Sequence, residues 1–293
     1  MKKRISFLME LMALLLCMAC GGKQTEEGIV TVTIEPQRFF AEKIAGDKFQ
    51  IHCIVPSGQS PETYDPTPKQ MVEVGNSVAY FQIGSLGFEQ VWMQKIRENN
   101  PDLKIYDLSK GISFIQEVVH HHHHDHHHHT HGVDPHIWSS IAGAKIIAQN
   151  MLDAFIQLDG EHAEYYKSNY TALLKEINQT DTVIRQLLAP LKERTFIIYH
   201  PTLTYFAKEF DLTQLCIEMD GKEPSPAILA QLIATAKERE VKVVFIQQEF
   251  DKKNAELIAK ETDCRLEVIN PLSYHWNEEL IHIAKVLANG EIN

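Results

Sequence analysis

The chain has few cysteines, no excess of positive charge and no dense metalloenzyme motif. Of its 293 residues only five are cysteines, and two of these, Cys17 and Cys20, fall within the first twenty positions. Cys53, Cys216 and Cys264 are too few and too irregularly spaced for a disulfide scaffold or a zinc ribbon. They read as buried small hydrophobes. Export would permit one disulfide, for which Cys216 and Cys264, both in the second half, are the expected pair. A formal net charge of -11 with no basic stripe argues against a nucleic-acid partner. The absence of HExxH or a similar compact motif argues against a zincin-type enzyme.

The first residues depart from the rest. MKKRISFLMELMALLLCMAC places Lys2, Lys3 and Arg4 before an apolar run and small residues before Cys20. It is too short and wrongly flanked to span a membrane, so residues 1–19 read as a secretory signal peptide. Cys20 followed by Gly21-Gly22 is similar to the acceptor of a bacterial lipoprotein signal, with residues 20–28 as a polar tether behind a lipid anchor at Cys20. A cleaved signal with a free mature protein is the alternative.

After the tether the chain repeats one rhythm twice. Runs rich in β-branched and aromatic residues, 29–34, 49–56, 77–83 and 103–108, alternate with helical patterns at 37–45, 68–75 and 87–98. The second half repeats this with strands 195–200, 212–218, 241–247 and 265–270 and helices 202–209, 226–239, 253–261 and 276–288. This predicts an α/β fold of two lobes, each a mainly parallel sheet flanked by helices. The stretch between them has no strand signal: 142–158 reads as one helix and 161–188 as a second, unusually long one. The expected organisation is an N-terminal α/β lobe over 29–158, with a histidine-rich loop at 118–133. One long connecting helix follows over 159–190, then a C-terminal α/β lobe over 191–293.

Ligands of open parallel sheets bind beyond the carboxyl ends of strands, which narrows the search for polar residues. SGQSPETYDPTP (57–68) presents Glu62, Tyr64 and Asp65; DPHIW (134–138) presents Asp134 and His136; TFIIYHP ends on His200 before Pro201; RLEVINP ends on Asn270 before Pro271. Two neutral imidazoles with a carboxylate suit Zn2+, and Mn2+ or Fe2+ as oxygen donors increase. Either histidine alone is more often a hydrogen-bonded structural residue.

Taken in order, these motifs resemble those of the metal-specific solute-binding proteins of ABC transporters, the zinc and manganese cluster of lipoproteins. SPETYDPTPKQM (60–71), an intact DPHIW, HPTLTYFAKEFDL (200–212), EPSP (223–226) before a helix, and INPLSYHW (269–276) carry the resemblance across nearly the whole chain. It implies two α/β lobes joined by one long helix and a monomeric extracytoplasmic receptor that is not an enzyme. Such a receptor would hand Zn2+, or alternatively Mn2+, to an ABC transporter permease of the cytoplasmic membrane. It implies His136 and His200 as metal ligands directly. Two positions depart from the pattern: Glu62 stands where histidine is usual and Asn270 where a carboxylate is usual. The long helix implies small movements on release rather than wide opening. A zinc metallohydrolase with Glu62 as general base, and a surface adhesin, are the competing readings.

Ten of the 16 histidines form one run: His120, His121, His122, His123, His124, His126, His127, His128, His129 and His131. Its internal position and the Asp125 interruption argue against a purification tag. Mostly neutral near pH 7, such imidazoles hold divalent ions weakly and exchangeably, an auxiliary collector leading to His136. A tolerated surface expansion with incidental affinity is the bland alternative.

Overall fold

A computed structural model describes residues 28–116, 132–218 and 222–290. The signal segment, Cys20 and the histidine run lie outside these.

The first sheet is built from β1 (Gly28–Val32), β2 (Phe49–Cys53), β3 (Ala79–Gln82) and β4 (Lys104–Asp107), in the order β2-β1-β3-β4. The second is built from β5 (Thr195–Ile198), β6 (Thr213–Cys216), β7 (Val243–Gln247) and β8 (Arg265–Ile269), in the order β6-β5-β7-β8. Every pairing between strands is parallel, so both sheets share one topology, as the repeated rhythm predicts. Chain order reverses at β1/β3 in one lobe and at β5/β7 in the other. The switch points of parallel sheets are where crevices open.

The crossovers are α1 (Glu35–Ala45), α2 (Pro68–Gly75) and α3 (Gly87–Asn99) in the first lobe. In the second they are α6 (Thr204–Glu209), α7 (Pro226–Glu238) and α8 (Lys253–Thr262), with α9 (Trp276–Asn289) after the last strand. Their starts follow from sequence. The side chains of Thr67 and Ser225 accept the amide N–H of Gln70 and Ile228, and a proline occupies the next position, where no amide hydrogen is missed.

Between the lobes lie α4 (Ile141–Leu158) and α5 (Ala163–Leu188), separated by a short 3-10 turn. With 26 residues, α5 is about 39 Å long, and it joins the two sheets as expected. The lobes are not held by this rod alone. One hydrophobic core runs from Val30, Phe40 and Phe81 through Trp138 and Trp276 to Phe196 and Phe245. Two indoles close the seam: Trp138 Nε1 donates to Pro271 O at 2.9 Å and Trp276 Nε1 to Trp138 O at 2.7 Å. Glu209 of the second lobe accepts the amides of Ile141 and Ala142, so it caps the helix that follows DPHIW.

The expected Cys216–Cys264 disulfide is absent: Cys53, Cys216 and Cys264 are all free. Cys216 ends edge strand β6 and Cys264 precedes the opposite edge strand β8, with two strands between them. Three strand spacings, roughly 14 Å, cannot be bridged by cysteines that must approach within about 7 Å. Among the described residues no helix is long and apolar enough to cross a membrane.

Candidate metal centre

His136 owes its position to the short sequence around it. Asp134 folds back on its own chain, and its Oδ1 accepts both the backbone N–H and the ring Nδ1–H of His136, each at 2.9 Å. Burial pushes the Asp134 carboxyl up, but its hydrogen bonds and charge interaction with His136 bring it below the usual carboxylate range. An ionised acceptor at Nδ1 puts the proton there and leaves the lone pair on Nε2, the tautomer a metal ligand needs. The residues after His136 turn through Ile137–Ser139 into α4, whose first amides are covered by Ser140 and Glu209.

His200 is placed by the other lobe. β5 stops at Ile198, so His200 lies two residues past the strand rather than on its last position. Gln247, fully buried at the end of β7, grips its backbone, with Nε2 donating to His200 O at 2.6 Å and Oε1 accepting His200 N–H at 3.3 Å. Glu218, just beyond β6, accepts from His200 Nδ1 with both oxygens at 3.2 Å. The ring is therefore oriented like that of His136, and its Nε2 is buried without a hydrogen-bond partner. Phe250 lies along one face, with ring centroids 5.4 Å apart. Burial raises the Glu249 carboxyl above the usual carboxylate range.

The two imidazoles meet across the lobes, with centroids 5.2 Å apart and planes at 79°. Glu62 is not drawn into the same close group. Among the described residues no set of three or more His, Cys, Asp or Glu side chains lies near enough to hold a metal ion. Glu62 and Asn270 nevertheless each present an oxygen suited to one: Glu62 Oε1 and Asn270 Oδ1 are buried and lack hydrogen-bond partners. A buried oxygen left unpaired costs about 1–3 kcal/mol. Three of the four positions expected from sequence thus carry an orphaned donor atom, which fits a divalent cation better than it fits a packed core.

Glu218 and Gln247 were not among the expected site residues. Both stand at strand ends, in LTQLCIE and VKVVFIQ, so the rule that found His200 and Asn270 also reaches them. Neither is a candidate ligand; both hold His200 in place, a supporting part that no single residue type marks in the sequence. Tyr205 has a similar supporting part. Its hydroxyl accepts from Ile115 N at 3.1 Å and donates to Asp134 O at 2.8 Å. Together with a bridge between Gln116 and Val133, this closes the base of the histidine-rich loop beside His136.

Residues 30–285 match the profile of the family described as ZnuA, zinc-uptake complex component A, periplasmic. The chain belongs to this family. Its members are solute-binding receptors of ABC transporters and not enzymes, which removes the metallohydrolase reading. Among its relatives is the high-affinity zinc uptake system protein ZnuA of Bacillus subtilis (strain 168), 29% identical over 90% of this chain and 87% of that protein. The manganese-binding lipoprotein MntA of Halalkalibacterium halodurans is 24% identical over 85% of this chain and 83% of its own length. A crystal structure of ZnuA superposes with a TM-score of 0.83 at 35% identity, covering 90% of this chain and 99% of that one. The metal-binding receptor class, the two-lobed fold and the long joining helix therefore stand as expected.

Proposed function

We propose that this receptor captures Zn2+ between its lobes outside the cytoplasmic membrane and releases it to its ABC permease for uptake. The observation that carries this reading is the pair His136 and His200, each with Nδ1 engaged by a carboxylate and both facing the same seam. Two imidazole nitrogens, one oxygen of Glu62 and the carbonyl oxygen of Asn270 make four donors, the number Zn2+ favours in closed sites. Glu62 lies on the loop between β2 and α2, and Asn270 directly after β8, so both close on the ion through loop adjustment. The continuous core and the paired indoles oppose a wide rotation of the lobes.

In the same reading Cys20 carries the lipid anchor after removal of residues 1–19, and residues 20–28 tether a monomer to the membrane. The ten histidines from His120 to His131 act as a weaker, exchangeable collector whose base lies beside His136. The oxygen donors Glu62 and Asn270 are what would admit Mn2+, and one relative is named as a manganese-binding lipoprotein.

The test is native mass spectrometry with elemental analysis of protein purified without added metal, followed by calorimetric titration with Zn2+ and Mn2+. Wild type should retain one Zn2+ and prefer it over Mn2+. The double variant His136→Ala, His200→Ala should lose the tight site. Retention of tight Zn2+ binding in that variant would overturn the assignment.

A further inference from the structure

The two oxygens of the Glu62 carboxylate are not equivalent. Oε2 accepts the backbone N–H of Gly87 at 3.0 Å, whereas Oε1 is buried and unpartnered. Gly87 is the first residue of α3, a helix of 13 residues, and the next amide, Phe88 N, donates to Pro61 O at 2.8 Å. Residues 61 and 62 therefore cap the helix together, one with its carbonyl and the other with its side chain. The amide end of α3 thus faces the Glu62 side chain.

This arrangement requires glycine at 87 because of close approach, not backbone conformation. A Cβ there would stand 2.6 Å from Glu62 O, 2.7 Å from Glu62 Oε2 and 2.9 Å from Glu62 Cα. Two of these three atoms belong to the backbone of the 57–67 loop, so any side chain at 87 pushes Glu62 off the helix. The turn leading to Gly87 is itself held. The buried carboxylate of Glu89 accepts the amides of Ile83 and Gly84 and the hydroxyl of Thr33.

We propose that Gly87 is a metal-specificity residue: by occupying one oxygen of Glu62 it makes that side chain a one-oxygen donor and so favours Zn2+ over Mn2+. The inference rests on the receptor reading above and deepens it. Zn2+ is satisfied by four donors, while Mn2+ prefers a larger, oxygen-rich shell that a two-oxygen carboxylate would help complete. With Oε2 engaged by Gly87, the site offers two nitrogens and two oxygens and no fifth atom from Glu62.

The experiment is infrared difference spectroscopy of the full mature chain with and without Zn2+, in wild type, Glu62→Gln and Gly87→Ala, alongside Zn2+ and Mn2+ affinities by chelator competition. The expected wild-type spectrum shows a wide gap between the antisymmetric and symmetric carboxylate stretches, the mark of one-oxygen coordination, and this pair disappears in Glu62→Gln. In Gly87→Ala the gap narrows and the preference for Zn2+ over Mn2+ falls roughly tenfold, the scale of losing one hydrogen bond to a charged group. A narrow gap in wild type, or Gly87→Ala with unchanged bands and preference, overturns the proposal. Bound Zn2+ with no band that depends on Glu62 overturns it through the ligand assignment, leaving the two-histidine receptor standing. Failure of wild type to bind Zn2+ overturns the receptor reading itself. If Gly87→Ala does not fold, the Gly87 amide proton decides by NMR of the Zn2+-loaded protein: an exchange-protected resonance that shifts in Glu62→Gln supports the proposal, and a freely exchanging one in wild type overturns it.

Discussion

His136 and His200 come from opposite lobes, yet their rings stand 5.2 Å apart, each held through Nδ1 by a carboxylate of its own lobe. The chain reaches the same solution twice. Asp134 orients His136 from two residues away, and Glu218 orients His200 from just beyond a neighbouring strand. An imidazole fixed in tautomer and direction before the ion arrives loses less freedom on binding.

Removing the orienting charge should therefore weaken capture without removing a ligand. Asp134→Asn and Glu218→Gln are each expected to lower Zn2+ affinity about 10- to 100-fold, measured by competition with a chromophoric chelator. Affinity unchanged in both would show that the carboxylates serve packing alone.

Glu89 predicts a pH effect on stability. Burial drives its carboxyl up to about 7, against the opposing hydrogen bonds from Thr33, Ile83 and Gly84. A carboxyl whose folded value is raised binds its proton more tightly folded than unfolded. It supports the fold fully at low pH, and that support is lost as pH rises from about 4.5 through about 7. The total is on the order of 3 kcal/mol for this fully buried group. Denaturant titrations of the metal-free protein from pH 5 to 8 should show wild type losing stability relative to Glu89→Gln. Parallel curves for the two would contradict it.

The indole seam should be costly to cut. Trp276→Phe removes the donor to Trp138 O, and Trp138→Phe removes the donor to Pro271 O, each leaving a buried carbonyl short of a partner. Each substitution should cost about 1–3 kcal/mol, read as a lower urea midpoint at unchanged slope. Because both indoles join the lobes, the variants should also bind Zn2+ more weakly even though neither supplies a ligand.

Deleting residues 120–131 should leave the tight site and remove weaker ones. The bridge between Gln116 and Val133 and the bond from Asp134 N to Ile115 O lie outside the deleted run, so the support of His136 is kept. Shortening such a loop changes its closure entropy little. Calorimetry should show fewer weak equivalents and an unaltered tight one; loss of the tight one would mean that the run forms part of the centre.

Much of the fold was legible in the sequence because its signals are local. Alternation of β-rich runs with helical spacing and a long strand-free stretch marked most elements to within a few residues. Strand ends were less legible. TFIIYH reads as one strand through His200, but pairing stops at Ile198, since pairing depends on neighbours far along the chain. The same limit bears on the one disulfide that export would permit. Cys216 and Cys264 both lie in the second half, and only strand order shows that they sit at opposite edges of one sheet.

By itself the sequence determined the class of fold and the family motifs, and it marked Glu62, His136, His200 and Asn270 as candidate donors, because side-chain chemistry and short periodicities are written residue by residue. The tertiary structure alone decided that the two histidines face each other, that Glu218 and Gln247 hold His200, and that Gly87 engages one oxygen of Glu62. Each of these relationships joins parts of the chain brought together by parallel crossovers and a shared core, and no local pattern of residues encodes such distances.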